Sequence, residues 1–127
     1  MHIGIGAYVR STGSGLGCPD WPRCHGRFIP STDKHTLIEY SHRFTATVTG
    51  FFGLAVLISA WRNHRHVPAI IYPTGLGFVL GLTQAGLGGA VVLNDLPAGI
   101  VALHLALAFA ILGLLLGVLS SIIMATG

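Results

Sequence analysis

Charged residues are scarce in this sequence. Of its 127 residues only 9% are Asp, Glu, Lys or Arg, and only 4 are acidic. An ordinary soluble domain carries about a quarter charged residues. The shortage of charge, together with 52% hydrophobic residues and a mean hydropathy of +0.73, excludes a typical soluble domain. We therefore expect a membrane protein.

The sequence also lacks the concentrated positive charge that binds nucleic acid. The formal net charge is +3, but most basic residues are divided between two short polar segments. Because a nucleic-acid-binding domain gathers Lys and Arg in one patch or stripe, no nucleic-acid partner is expected. No cleavable signal peptide is visible, since residues 1–9 are too short for its hydrophobic region. These residues look like the tail of a membrane helix whose beginning is absent.

Two long runs without charge fill the C-terminal half, at residues 66–94 and 96–127. Each exceeds the roughly 20 residues that cross about 30 Å of hydrocarbon as a helix. A third run, residues 44–61, would reach only about 27 Å at ~1.5 Å per residue. Its helix must therefore include upstream residues, which brings Glu39, His42 and Arg43 to the membrane edge.

These runs predict an all-α fold, a polytopic bundle of membrane helices, because in lipid only helices or closed barrels satisfy the backbone. We expect a helix tail over residues 1–9, a loop over 10–35 and a bundle of three helices over 36–127. The three helices are expected at 36–60, 69–92 and 97–124, with a basic turn at 61–68. Thr36 and the pair Asp95 and Pro97 are the expected helix starts.

Small residues recur at steps of four in the helix expected at 69–92: Gly77, Gly81, Ala85 and Gly89. Such a stripe predicts close approach of another helix backbone. Gln84 adjoins this stripe. We expect its amide to make an interhelical hydrogen bond rather than to contact a substrate.

Ionisable side chains inside membrane helices are rare and suggest function. Glu39 and His42 are spaced i and i+3, on one helix face. His104 lies in the last helix, and His42 and His104 are six and seven residues from the expected helix starts on the same side. Their calculated depths of ~9–11 Å nearly match. Two histidines at one depth can ligate a haem iron from opposite faces.

Other interpretations of these residues stay open. His104 could hydrogen-bond across a helix interface, and His42 could reach the headgroups beside Arg43. Imidazole also suits zinc and copper. Glu39 could form a structural ion pair with Arg43 or Arg10 at the membrane edge.

The only cysteines, Cys18 and Cys24, fall in the polar segment "GCPDWPRCHGRFIP". Their spacing does not match the C-x-x-C-H pattern of haem attachment, and a zinc site lacks convincing further ligands. A disulfide closing a small loop, structural or redox active, is the interpretation that remains. Loop charges do not settle the orientation of the chain, but disulfides persist on the outer face of a membrane. We therefore place the cysteine loop there.

Four segments, "GAYVRSTGSGLGCPDWPRCHGRFIP", "HTLIEYSHR", "QAGLGGAVV" and "ALHLALA", resemble the N-terminal half of haem A synthase. The resemblance covers most of the chain, from Gly6 to about Ala108. It implies oxidation of the haem O methyl at ring position C8 to the formyl group of haem A. Successive hydroxylations give a hydrate that loses water.

The resemblance also implies roles for single residues. His42 and His104 match the haem-liganding pair of this half of the family fold, and Glu39 matches its catalytic carboxylate. Cys18 and Cys24 match the paired cysteines of the external loop, which form a disulfide near the haem site. The implied location is the cell membrane, with the cysteine loop on the outer face.

The chain departs from the family pattern in extent. Typical members have eight membrane helices in two similar halves, and the other half holds a second haem, haem b. This chain lacks that half and nearly all of its own first helix. A fragment, a split subunit and a half-size form that assembles with itself or a partner are the alternatives, and haem O synthase is a further expected partner. The competing function is a membrane haem protein that transfers electrons or delivers haem without turnover.

Overall fold

The computed structural model describes the backbone of residues 2–126 and the side chains of residues 2–120. Within them lie four helices: α1 His2–Ser11, α2 Lys34–His64, α3 Pro68–Leu93 and α4 Ala98–Thr126. The all-α prediction is confirmed. Met1 and Gly127, the outermost residues of the segments expected at 1–9 and 36–127, lie outside the described residues.

Three of the described helices are long and apolar enough to cross a membrane, over Lys34–His64, Pro68–Leu93 and Ala98–Ser120. Consecutive helices pack against each other, so α3 lies between α2 and α4. An even number of crossings separates the start of α2 from the start of α4. Both starts, and the loop between α1 and α2, therefore lie at the same end of the bundle.

Helix α2 is longer than the 25 residues predicted at 36–60. Its N-cap is Asp33 rather than Thr36, because the Asp33 carboxylate accepts a hydrogen bond of 3.1 Å from the Thr36 backbone N–H. This hydrogen bond lowers the pKa of Asp33. At the other end the predicted turn at 61–68 is helical as far as His64. Charged residues alone do not end a helix. Pro68 disfavours a helical conformation of the residue before it, so α2 ends ahead of this proline, and Pro68 is the first residue of α3.

The connection between α3 and α4 also corrects the sequence prediction. Asp95 does not cap α4, because Asp95 and Leu96 both have left-handed backbone conformations, with φ of 57° and 60°. The Leu96 N–H instead donates to the carbonyl of Val91 at 2.8 Å, which closes the end of α3. Pro97 supplies the first carbonyl of the α4 ladder, at 3.0 Å from the N–H of Val101. Helix α1, in turn, continues to Ser11, two residues past the predicted tail.

The stripe of small residues on α3 does not mediate helix packing along its length. A Cβ added at Gly77 or Gly81 would meet no atom of the described chain within 4 Å. At Gly89 it would lie 2.9 Å from the indole of Trp21, which belongs to the loop and not to a helix. Within the described chain no helix packs on Gly77 or Gly81, and the close approach of a helix there stays a prediction.

The most deeply buried side chains lie at the loop end of the bundle. Ser14, Cys18 and Cys24 of the loop are buried, as are Thr36 and Glu39 in the first turns of α2. Most apolar side chains along the middle of the three long helices are exposed in the isolated chain. The tightest packing therefore surrounds Glu39.

Candidate functional site

The segment between α1 and α2, residues 12–33, is here named the cysteine loop. A disulfide joins Cys18 and Cys24, whose Cα atoms are 4.6 Å apart. The Cys24 N–H donates to the carbonyl of Arg27 at 2.8 Å, and the Arg27 N–H returns a bond of 3.1 Å. The Asp20 carboxylate accepts from the backbone N–H groups of His25 and Gly26, which lowers the pKa of Asp20. The loop is thus closed by covalent and hydrogen bonds.

The first half of the cysteine loop is bonded to the start of α2. The Thr36 hydroxyl donates to the carbonyl of Gly17 at 2.9 Å, and the Ser14 hydroxyl lies 2.9 Å from Nδ1 of His35. A Cβ at Gly17 would lie 2.2 Å from the His35 carbonyl oxygen, so only glycine permits this approach. The loop therefore sits directly on the first turn of α2.

The cysteine loop also contacts α3 and the connection between α3 and α4. Trp21 packs on the backbone of Gly89 in α3, and Leu96, between α3 and α4, packs on Gly15. One loop thus contacts α2, α3 and the connection to α4. It covers the end of the bundle at which the predicted site residues lie.

Glu39 is 5% exposed and lies beneath this loop. Its Oε1 accepts a hydrogen bond of 3.0 Å from Nε of Arg43, an ion pair within α2. The rest of the Arg43 guanidinium donates to three loop carbonyls, those of Cys18, Asp20 and Arg23, at 2.7, 2.6 and 2.9 Å. Of the two partners considered from sequence, Arg43 and not Arg10 pairs with Glu39.

The structure places one of the predicted histidines, His42, against a histidine of α1. The ring of His42 stacks on that of His2 in α1, with centroids 4.4 Å apart and an interplanar angle of 6°. His104 lies on α4, and α2 and α4 both pack on α3. Glycines make room for two of them: a Cβ at Gly6 would lie 3.0 Å from His42, and one at Gly88 would lie 3.3 Å from His104.

All three imidazoles carry a buried nitrogen without a partner. Nδ1 of His2, His42 and His104 makes no hydrogen bond within the described part of the chain. The backbone of His104 is fixed to α3 instead, because Nε2 of Gln84 donates to the His104 carbonyl at 2.9 Å. The interhelical hydrogen bond predicted for Gln84 is confirmed.

This arrangement suits a haem better than a bare metal ion. Residues 2–120 contain no group of three or more His, Cys, Asp and Glu side chains placed to hold a metal ion, whereas zinc takes at least three protein ligands. A haem iron takes its equatorial ligands from the porphyrin and needs only axial side chains. His42 on α2 and His104 on α4, two imidazoles on separate helices, fit that requirement.

Sequence reasoning missed two residues of this site. Arg43 was considered only as a structural partner of Glu39, although the i, i+4 spacing signals the ion pair. His2 was placed in the helix tail without a role. Its contact with His42 depends on how α1 packs against α2, and no pattern in the sequence signals it.

The comparisons with known proteins agree with the motifs. The family model described as cytochrome oxidase assembly protein matches residues 1–37 and 31–126. A haem A synthase of Bacillus licheniformis is 38% identical over 100 residues, covering 78% of this chain and 33% of that protein. Those of Bacillus mycoides and Bacillus cereus are 40% identical over 102 residues, covering 78% of this chain and 32% of each relative.

The chain thus spans about a third of the length of the curated relatives that it matches. No solved structure matches it significantly. The family model and the relatives at close to 40% identity indicate the same family. The chain belongs to the haem A synthase family of cytochrome oxidase assembly proteins.

Proposed function

We propose that this chain forms the haem O site of a haem A synthase, in which the methyl group at ring position C8 is oxidised to a formyl group. One observation carries the proposal. Two histidines on separate membrane helices, His42 and His104, have rings that no hydrogen bond ties down within the described chain, and they lie in the half of the bundle that holds the buried Glu39 carboxylate. The names of the relatives supply the reaction class.

His42 and His104 would hold the iron of the haem substrate from two sides. Helices α2 and α4 do not adjoin in sequence, and both pack on α3, so α3 sets their separation. The hydrogen bond from Gln84 fixes the position of His104 along α3. The substrate porphyrin supplies the redox-active iron and the methyl group to be oxidised.

Glu39 lies one helical turn from His42, toward the cysteine loop. Oxidation of a methyl group to a formyl group takes up the oxygen of water and releases protons and electrons in equal number, and the electrons pass to an acceptor outside this chain. The carbon becomes electron-poor as it reacts, and the attacking water loses its protons. A carboxylate held away from solvent stabilises that positive charge and accepts a proton. Oε1 of Glu39 accepts a hydrogen bond from Arg43, so Oε2 would be the oxygen that accepts the proton.

The direct test is the chemical identity of the haem. The chain is assembled in membranes with its natural partners, supplied with haem O, and the extracted haem is analysed by liquid chromatography and mass spectrometry. We expect haem with one methyl group replaced by a formyl group. A protein that only transfers electrons or delivers haem would return haem O unchanged, and that result would reject the proposed reaction.

We further propose that the cysteine loop faces the outside of the cell membrane, where a disulfide persists. A membrane-impermeant maleimide applied to intact cells should label Cys18 and Cys24 only after reduction. Leu16→Cys, an exposed residue of the same loop, serves as a positive control that needs no reduction. Labelling of Cys18 or Cys24 only after the membrane is permeabilised, or without reductant, would contradict this topology or the disulfide.

A further inference from the structure

Arg43 uses most of its hydrogen-bonding capacity to connect two parts of the site. A guanidinium has five N–H donors in one plane. Here Nε donates to Glu39, and Nη1 and Nη2 together donate to the carbonyls of Cys18, Asp20 and Arg23. The side chains of Arg43 and Glu39 are only 13% and 7% exposed. Water therefore cannot readily replace these partners.

The three carbonyls that Arg43 binds all lie on the ring closed by the disulfide. Cys18 is one end of that ring, and Asp20 and Arg23 lie between the two cysteines. Carbonyls from three residues of a free heptapeptide segment would not point at one cation. Closure of the ring by the Cys18–Cys24 bond holds them in that arrangement.

We propose that Arg43 is a positioning residue that makes the placement of Glu39 depend on the closed disulfide loop. This inference rests on the proposed role of Glu39. With the loop closed, the carbonyls hold the guanidinium, and the guanidinium holds Oε1 of Glu39. When the disulfide opens, the carbonyls disperse and Arg43 loses its orientation. Glu39 then loses its fixed position, although both charges are still present.

The planar fork of arginine is required for this link. A lysine at position 43 keeps the charge but carries one ammonium group, which cannot reach Glu39 and three carbonyls on different sides at once. Arg43→Lys should therefore separate the effect of charge from that of geometry. Arg27→Lys is the matched control, because Arg27 is an exposed residue of the same loop.

The first experiment asks whether the disulfide and Arg43 act through one route. Turnover of haem O is compared among the parent, Arg43→Lys, the pair Cys18→Ser with Cys24→Ser, and all three changes together. We expect each perturbation alone to lower kcat by roughly tenfold to a hundredfold, the scale of a misplaced catalytic group, with KM little changed. The combined variant should be no slower than the slower of the two. Losses that multiply would show independent effects and would overturn the proposal.

The second experiment measures the rate of disulfide reduction, which reports the link between Glu39 and the cysteine loop without any turnover of haem O. The disulfide of the chain in lipid nanodiscs is reduced with a water-soluble phosphine, and the free thiols are trapped with a maleimide mass tag. Both Arg43→Lys and Glu39→Ala, which removes the acceptor of the Arg43 Nε–H, should speed reduction several-fold, whereas Arg27→Lys should match the parent. If Glu39→Ala leaves the reduction rate unchanged, Glu39 is not linked to the loop and the proposal is wrong.

The two experiments separate this inference from the proposed function. If Glu39→Ala speeds reduction while Glu39→Gln leaves turnover intact, the link exists and the catalytic role of Glu39 fails. Should Arg43→Lys not assemble, Glu39→Asp replaces it in the reduction assay, because its shorter side chain keeps the charge but withdraws from Arg43. Unchanged reduction in a folded Glu39→Asp protein would overturn the link.

Discussion

Replacement of Glu39 by Gln should leave haem O bound while the yield of formyl haem falls by about a hundredfold to ten-thousandfold, the scale of a lost acid–base catalyst. Gln has nearly the same shape as Glu, and its amide oxygen can still accept the Nε–H of Arg43. What the substitution removes is the negative charge and the ability to accept a proton. The rate of oxidation should therefore fall much more than the affinity for the substrate.

Two measurements check this result on the assembled protein. The absorption spectrum after addition of haem O reports binding, and chromatography of extracted haem reports the product. Asp95→Asn is the matched control, because it makes the same change of charge at an exposed position at the same end of the bundle. Asn also tolerates the left-handed backbone at position 95. Formation of haem A by Glu39→Gln at the parent rate would show that Glu39 is only the structural partner of Arg43.

The hydropathy pattern was sufficient to locate the three long helices. A segment that spans a membrane must be long and uncharged, and its backbone N–H and C=O groups must hydrogen-bond to each other within one helix. It did not locate their ends. The start of α2 depends on the Asp33 carboxylate, and its extension to His64 depends on Pro68, four residues later. Both are local effects that a count of charges does not include.

The candidate site was predictable only in part. Glu39 and His42 lie on one helix face, and their spacing alone places them together. The bonds from Arg43 to Cys18, Asp20 and Arg23 join residues 20 to 25 positions apart. They depend on the folded path of the cysteine loop, which no periodicity describes. At Gly77 and Gly81 a pattern typical of helix contact faces open space in the described chain, so the pattern alone does not identify the helix that would pack there.

The histidines should show the second large effect, on the haem spectrum. We expect the assembled protein with bound haem to give the absorption and electron paramagnetic resonance spectra of low-spin iron with two histidine ligands. His104→Ala should abolish these spectra or convert them to a high-spin form, and His42→Ala should do the same. Each substitution removes one of the two proposed ligands, and neither ring makes a hydrogen bond within the described chain.

Two controls separate ligation from packing. His66→Ala removes an exposed histidine at the opposite end of the bundle and should leave the low-spin spectrum unchanged. His2→Ala removes the ring that stacks on His42 but no predicted ligand, so low-spin haem should persist. Imidazole added to the buffer should restore the low-spin spectrum of His104→Ala, because it supplies the missing ligand without the chain. If His104→Ala retains the parent spectrum, or if His2→Ala loses it, the pair holding the iron is not His42 and His104, and the assignment of the haem O site to α2 and α4 fails with it.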